Sequence, residues 1–125
     1  MRVREIKIEV KPLDEEIKDL TSKIEEISKG KKINKEEKII FNSIEDLRKF
    51  LTPERIRLIH IIKTKKPHSI YKLAKLLGRD RKSVTIDLDI LKAIGLIDLK
   101  KKSIEKRITM IPKVNYSRIN IAIPV

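Results

Sequence analysis

The sequence contains no cysteine and no tryptophan, and its 125 residues include only two histidines and three glycines. Without cysteine, disulfide bonds, thiolate nucleophiles and thiolate metal ligands are excluded. The few histidines and glycines argue against a multi-histidine metal site or a glycine-rich phosphate loop. No carboxylates are spaced as an acid–base pair, and no nucleophile has an adjacent base. We therefore expect no enzymatic activity, no cofactor and no metal ion.

Long apolar runs and aromatic residues are also scarce. No stretch approaches the roughly 20 apolar residues that a membrane-spanning helix needs. The first five residues do not lead into the apolar core of a signal peptide, so we expect a cytoplasmic protein with no membrane partner. With only two tyrosines and two phenylalanines, recognition of RNA or single strands by aromatic stacking is disfavoured.

Positive charge is abundant and unevenly distributed. The formal net charge is +13. Residues 1–42 hold 11 basic and 10 acidic side chains, whereas residues 43–125 hold 20 basic and 8 acidic ones. A general preference for lysine would give residues 1–42 and residues 43–125 a similar excess of positive charge. The excess in residues 43–125 therefore favours a polyanionic partner for that part, which we expect to be nucleic acid.

Residues 1–42 are predicted to form a strand and an amphipathic helix. Apolar residues alternate in the segment that ends at Val10, as in a half-buried strand. Apolar residues then recur at spacings of 4, 3, 4 and 3, as in a heptad repeat. We expect this helix either to pack on its own domain or to dimerise, through Leu13, Ile17, Leu20, Ile24 and Ile27. Residues 29–42 are interpreted as a polar connector.

Three helices are predicted next, from their caps. Ser43 begins a short helix, and Thr52-Pro53 begins a longer one that buries Ile56, Ile59 and Ile62 together with Leu58. Ser69 begins another helix that stops at Gly78. Asp80 caps the last one, which buries Val84, Leu88 and Leu91 and stops at Gly95.

After Gly95 two β-favouring runs are separated by a polar segment, Lys100 to Ser103, which we interpret as the tip of a hairpin. A last strand is predicted from the alternation of Ile119, Ile121 and Ile123. It needs a partner edge, either the first strand or a second subunit.

Helices followed by a basic hairpin are typical of a winged helix-turn-helix. The predicted fold is therefore α+β, with a dimerisation region at 1–42 and a DNA-binding domain at 43–125. In such domains the second helix of the pair enters the major groove of double-stranded DNA. The candidate DNA-binding residues lie around that helix and on the hairpin: Ser69, Tyr71, Arg79, Arg81, Lys82, Ser83, Thr85, Ile86, Lys100, Lys101, Lys102, Lys106 and Arg107.

Two segments resemble a known group. Residues 67–80 (PHSIYKLAKLLGRD) and 84–97 (VTIDLDILKAIGLI), with LTPER at 51–55, are similar to archaeal winged helix-turn-helix transcriptional regulators of a haloarchaeal type. The second segment also resembles bacterial sugar-response repressors. The resemblance implies that Thr85 and Ile86 face DNA at positions where relatives often carry His or Arg. Isoleucine can contact a thymine methyl group but cannot make a bidentate base contact.

Each of these features also has a purely structural interpretation. The lysines of the hairpin can be a solvated turn, and Arg79 or Arg81 can pair with Asp80 or Asp87. Tyr71 and Tyr116 are expected to pack, and Asp87 to orient a neighbouring basic side chain. Besides a homodimeric regulator, three alternatives stay open: a protein-interaction module, a non-specific architectural DNA binder, and the antitoxin of a toxin pair.

Overall fold

The computed structural model describes residues 4–11 and 38–125. Within these residues helices and strands are both present, so the expected α+β class is confirmed. The elements in chain order are β1 (Glu5–Val10), β2 (Lys38–Phe41), α1 (Ile44–Phe50), α2 (Pro53–Lys65), α3 (Ile70–Leu77), α4 (Arg81–Ile94), β3 (Asp98–Ile104), β4 (Arg107–Lys113) and β5 (Arg118–Ala122).

The described residues fall into two compact units. The first, the sheet unit, contains β1, β2, most of α1 and β5, and the second, the helical unit, contains Phe50–Ser117 with Arg4. This division differs from the boundary predicted after residue 42, because β5 pairs with β1 and is therefore grouped with the N-terminal strand. The heptad positions of the predicted dimerisation helix lie outside the described residues, and that prediction stays open.

The sheet unit is built on a parallel three-stranded sheet in the order β2-β1-β5. As the alternation predicted, β1 buries Ile6, Ile8 and Val10 and exposes the residues between them, apart from the half-buried Glu9. Strand β2 contradicts the expected connector: Ile8 aligns with Ile39 and Val10 with Phe41, so pairing with β1 makes a strand of this short segment.

A carboxylate surrounded by lysines lies on the other face of this sheet. Glu9, whose side chain is 12% exposed, is 3.0 Å from Lys7 Nζ, 3.2 Å from Lys11 Nζ and 3.0 Å from Lys38 Nζ. Burial alone would raise the pKa of Glu9, but the three lysines outweigh burial and lower this pKa from 4.5 to about 2. The cluster therefore stabilises the β1–β2 pair through the ionised carboxylate.

We expect Glu9→Gln to lower the free energy of unfolding at pH 7 by about 2 kcal/mol, because the lysines lose their counter-charge. The folded-state pKa of Glu9 is depressed, so its contribution is complete above the unfolded-state pKa and is lost as the pH falls toward 2. Urea unfolding across this range should show the wild-type advantage shrinking with acidification. The exposed carboxylate of Glu105 supplies the control, Glu105→Gln, which should cost less than about 0.5 kcal/mol. A pH-independent difference for Glu9→Gln would contradict the assignment.

Capping residues fix the helices of the helical unit where the sequence places them. The Thr52 hydroxyl accepts from the backbone N–H of Arg55, the Ser69 hydroxyl from Lys72 and the Asp80 carboxylate from Ser83. Helices α3 and α4 end at glycines with φ of 65° and 99°, a left-handed conformation that glycine adopts without strain. The predicted helix boundaries are thereby confirmed.

The core of this unit lies between its helices. Helix α3 packs against α2 and α4, and β4 contacts α2 and α3. Val84, Leu88 and Leu91 are fully buried, as predicted. The prediction that Ile56 is buried is wrong: this residue is 47% exposed, because the buried face of α2 consists of Leu58, Ile59 and Ile62.

The hairpin turns later than predicted. Strands β3 and β4 pair as far as Ile104 and Arg107, so the tip is Glu105-Lys106 and Lys100 to Ser103 lie within β3. Both tip residues have positive φ, 48° and 67°, as a two-residue type I′ turn requires. Neither is the glycine or asparagine usual at such a turn, which is why the sequence did not reveal it.

Candidate nucleic-acid interface

The N-terminus of α4 presents two cations to solvent. Asp80 caps the helix, and Arg81 and Lys82 follow directly with exposed side chains. Unpaired backbone N–H groups and the helix dipole favour anions at this end of a helix. Two exposed cations placed there make this end suitable for contacting a phosphate backbone or a base edge.

The exposed side of α4 carries fewer polar groups than the sequence indicates. Ile86 is 52% exposed, as expected. Thr85 is half-buried, however, and its hydroxyl donates to the carbonyl oxygen of Arg81 at 2.8 Å. The Ser83 hydroxyl is half-buried and accepts from Arg79 at 2.6 Å. The solvent-facing side chains of the first turns are therefore Arg81, Lys82 and Ile86.

Arg79 belongs to a partly buried ion-pair cluster around Asp87. Asp87 is only 8% exposed, and its two carboxylate oxygens lie 2.8 Å from Arg79 Nη2 and 3.2 Å from Arg55 Nε. Arg55 also donates to the carbonyl oxygen of Phe50 at 2.8 Å. As expected, Asp87 orients neighbouring arginines. Arg79, counted among the DNA-binding candidates, is therefore engaged inside the helical unit.

A groove collects several of the remaining candidates. It has a volume of about 360 Å³ and lies between the N-terminus of α3, the N-terminus of α4 and β4. We call it the wing groove and define it by Ser69, Tyr71, Arg81, Arg107 and Thr109. In the described part of the chain neither Arg81 nor Arg107 forms an ion pair. Lys75 Nζ lies over the Tyr71 ring, 4.8 Å from its centre, in a cation–π contact.

The hairpin lysines do not share one face. Lys100 and Lys102 lie opposite Ile111 and Thr109, and Lys101 lies opposite Met110. Since successive side chains of a strand point to opposite faces, Lys101 is directed away from its two neighbours. Lys106 is at the tip, and Arg107 begins β4 in the wing groove.

Two residues of this region, Thr109 and Arg55, were not predicted from the sequence. Thr109 lines the wing groove beside Arg107, but only the register of the hairpin reveals it. Arg55 reaches Asp87 across 32 positions of the sequence. The Pro53-Glu54-Arg55 motif places it in the first turn of α2 without indicating its partner.

No group of three His, Cys, Asp or Glu side chains that could hold a metal ion occurs among residues 4–11 and 38–125. Over the same residues, no helix combines the length and apolar character needed to cross a membrane.

Comparison with known proteins gives one family. No curated protein and no solved structure matches the chain significantly. The model of the HVO_A0114 family, a haloarchaeal group of small proteins, matches residues 50–121. These residues include the whole helical unit from α2 to β4 and most of β5. Because the match covers more than half of the chain, the chain belongs to the HVO_A0114 family.

Proposed function

We propose that the helical unit is a winged helix-turn-helix domain and that the protein is a dimeric transcriptional regulator that binds double-stranded DNA. In this proposal α3 and α4 are the helix-turn-helix pair, and the β3–β4 hairpin is the wing. The wing groove carries the proposal, because it joins the N-termini of both helices to the wing. A phosphate backbone lying in it would meet two helix N-termini and Arg107, which has no ion-pair partner in the described chain.

The charge of the helical unit supports an anionic partner. Residues 50–117 contain 17 basic and 6 acidic side chains, a net charge of +11. One of the six, Asp87, is buried between two arginines. The exposed surface is therefore strongly positive, which favours association with DNA and makes binding salt-dependent.

The exposed residues of α4 receive separate roles. Arg81 and Lys82 would read base edges in the major groove, where an arginine can bind guanine through two hydrogen bonds. Ile86 would contact a thymine methyl group. Lys100, Lys101, Lys102 and Lys106 would contact phosphates without reading sequence.

Dimerisation belongs to the same proposal. Two copies of α4 would enter successive major grooves, about 34–36 Å apart, on a near-palindromic site. The heptad positions of residues 13–27 would supply the contact. Sedimentation of a monomer at micromolar concentration would contradict this part of the proposal and leave the DNA-binding part standing.

The experiment is fluorescence anisotropy on two duplexes at two salt concentrations. One duplex carries the upstream region of the protein's own gene, and the other a shuffled copy. We expect selective binding to the first, and we expect Arg81→Gln to weaken it about tenfold or more, as for the loss of one good base contact. Lys101→Gln should weaken both duplexes alike and reduce the salt dependence by about one phosphate contact.

Lys92→Gln is the matched control, since Lys92 is exposed in the last turn of the same helix. It removes the same charge far from the N-terminus of α4 and should change affinity less than about twofold. Equal binding to both duplexes, lost with salt, would indicate an architectural binder. Binding to neither duplex would reject the proposal in favour of a protein-interaction module.

A further inference from the structure

A second groove of the helical unit is lined by basic side chains that the proposed DNA contacts leave largely unused. It lies between the C-terminal end of α2 and the end of β4 and has a volume of about 490 Å³. We call it the lysine groove. Its basic lining residues are Lys63, Lys66, His68, Lys102 and Lys113.

The described protein offsets part of the positive charge of this groove through Asp98, which lies opposite Lys113 in the hairpin. None of its four lysines forms an ion pair with a carboxylate in residues 4–11 and 38–125, and Lys63 donates only to the carbonyl oxygen of Val114, at 3.4 Å. The nearby carboxylate of Asp98 accepts from Asn115 Nδ2 at 2.6 Å. Four ammonium groups around one cavity repel one another, and a bound anion would relieve that repulsion.

The floor of the groove is apolar. Ile111 and Val114 line the groove and are half-buried, so part of their apolar surface is open to it, while the lining residues Ile62, Pro67 and Pro112 are buried. A sugar–phosphate backbone passing over the surface needs no such floor. A concave site of this volume, with an apolar floor and a few charged groups at its rim, is typical of small-molecule sites.

We propose that the lysine groove binds a small organic phosphate, with its phosphate held by the lysines and its carbon skeleton against Ile111 and Val114. Lysine is a common phosphate ligand that acts as a point charge. The site adjoins the proposed DNA surface, because His68 precedes the α3 cap and Lys102 lies opposite Thr109 of the wing groove. Binding in the lysine groove itself does not depend on the proposed function.

The test is an NMR titration of the ¹⁵N-labelled full chain, without DNA, using inorganic phosphate and phenyl phosphate as probes. We expect saturable shifts of the His68, Val114 and Asn115 amides, with phenyl phosphate binding at least about fivefold more tightly because its ring buries apolar area. The double variant Lys63→Gln/Lys113→Gln should weaken binding at these amides about tenfold. Lys72→Gln/Lys92→Gln removes the same charge from exposed sites outside the groove and should change it less than about twofold.

Shifts that do not saturate, or that weaken equally in both double variants, would show diffuse screening and overturn the proposal. Equal affinity for the two probes would remove the role of the apolar floor and overturn it as well. A groove variant that loses DNA affinity about tenfold, without any probe binding in the wild type, would assign the groove to the DNA backbone instead. Because the titration contains no DNA, its failure leaves the proposed function to be judged by anisotropy alone.

Discussion

Replacing Asp87 by alanine is expected to lower the free energy of unfolding by about 3 kcal/mol. The carboxylate neutralises Arg79 and Arg55, whose side chains are only 24% and 15% exposed. Removing one partner of a buried ion pair leaves the other charge uncompensated, and this usually costs about 3–5 kcal/mol. Both arginines can turn partly toward water, so we place the effect at the lower end. Urea unfolding of the full chain at pH 7 measures it.

The same helix supplies the control. Asp89 lies two residues further along α4 and is exposed, without an ion pair in the described chain. Asp89→Ala should therefore change the free energy of unfolding by less than about 0.5 kcal/mol. Asp87→Asn keeps the shape of the side chain and one acceptor oxygen, so its loss in the free energy of unfolding should lie between those of Asp87→Ala and Asp89→Ala. Equal free energies of unfolding for Asp87→Ala and Asp89→Ala would contradict a stabilising role of the ion-pair cluster.

The ion-pair cluster of Asp87 could be predicted from the sequence only in part. The sequence predicted that Asp87 orients a basic neighbour, and it left open that Arg79 or Arg81 pairs with Asp80 or Asp87; the pair of Arg79 with Asp87 is confirmed. The second partner, Arg55, could not be predicted, because its contact with Asp87 depends on how α2 packs and it is 32 positions away. The effect on the candidate site is direct: Arg79, which the sequence counted among the DNA-binding candidates, is partly buried and is held by Asp87 and Ser83.

The helices were predictable for a local reason, and two of the β-strand features were not. Thr52, Ser69 and Asp80 each cap a helix within three residues of sequence, so their signal is complete in the chain itself. Strand β2 consists of four residues in a polar region, and only pairing with β1 defines it. The hairpin tip at Glu105-Lys106 lacks the usual turn residues, so its register also depended on the paired strand.

Most of the residues that define the wing groove were predicted from the sequence, but their position in one groove depends on the packing of the chain. Ser69, Tyr71, Arg81 and Arg107 were candidates from the sequence, and the structure brings them together. The lysine groove was not foreseen, because its residues come from the end of α2 and from two strands of the hairpin. Lys102 illustrates the difference: the sequence placed it at a solvated tip, whereas pairing with Thr109 puts it inside β3 and beside the lysine groove.

Substitutions at Leu88 and Ile86 of α4 should have different effects, the first on the free energy of unfolding and the second on DNA recognition. Leu88 is fully buried, so Leu88→Ala removes core contacts and leaves a cavity. We expect a loss of about 3 kcal/mol in the free energy of unfolding, within the range of about 2–5 kcal/mol for such substitutions. Ile86 is 52% exposed on the side of α4 opposite the core, so Ile86→Ala should cost less than about 1 kcal/mol. Urea unfolding of both variants measures the difference.

Under conditions where both variants are folded, we expect Ile86→Ala to lower DNA affinity and Leu88→Ala to leave it unchanged. If Ile86 contacts a thymine methyl group, Ile86→Ala lowers affinity for the upstream duplex about fivefold and leaves the shuffled duplex unaffected, because only the first offers the specific contact. Leu88 is buried and cannot contact DNA, so folded Leu88→Ala should bind both duplexes as the wild type does. An Ile86→Ala variant with unchanged selectivity would remove the apolar base contact from the proposal and leave base reading to Arg81 and Lys82.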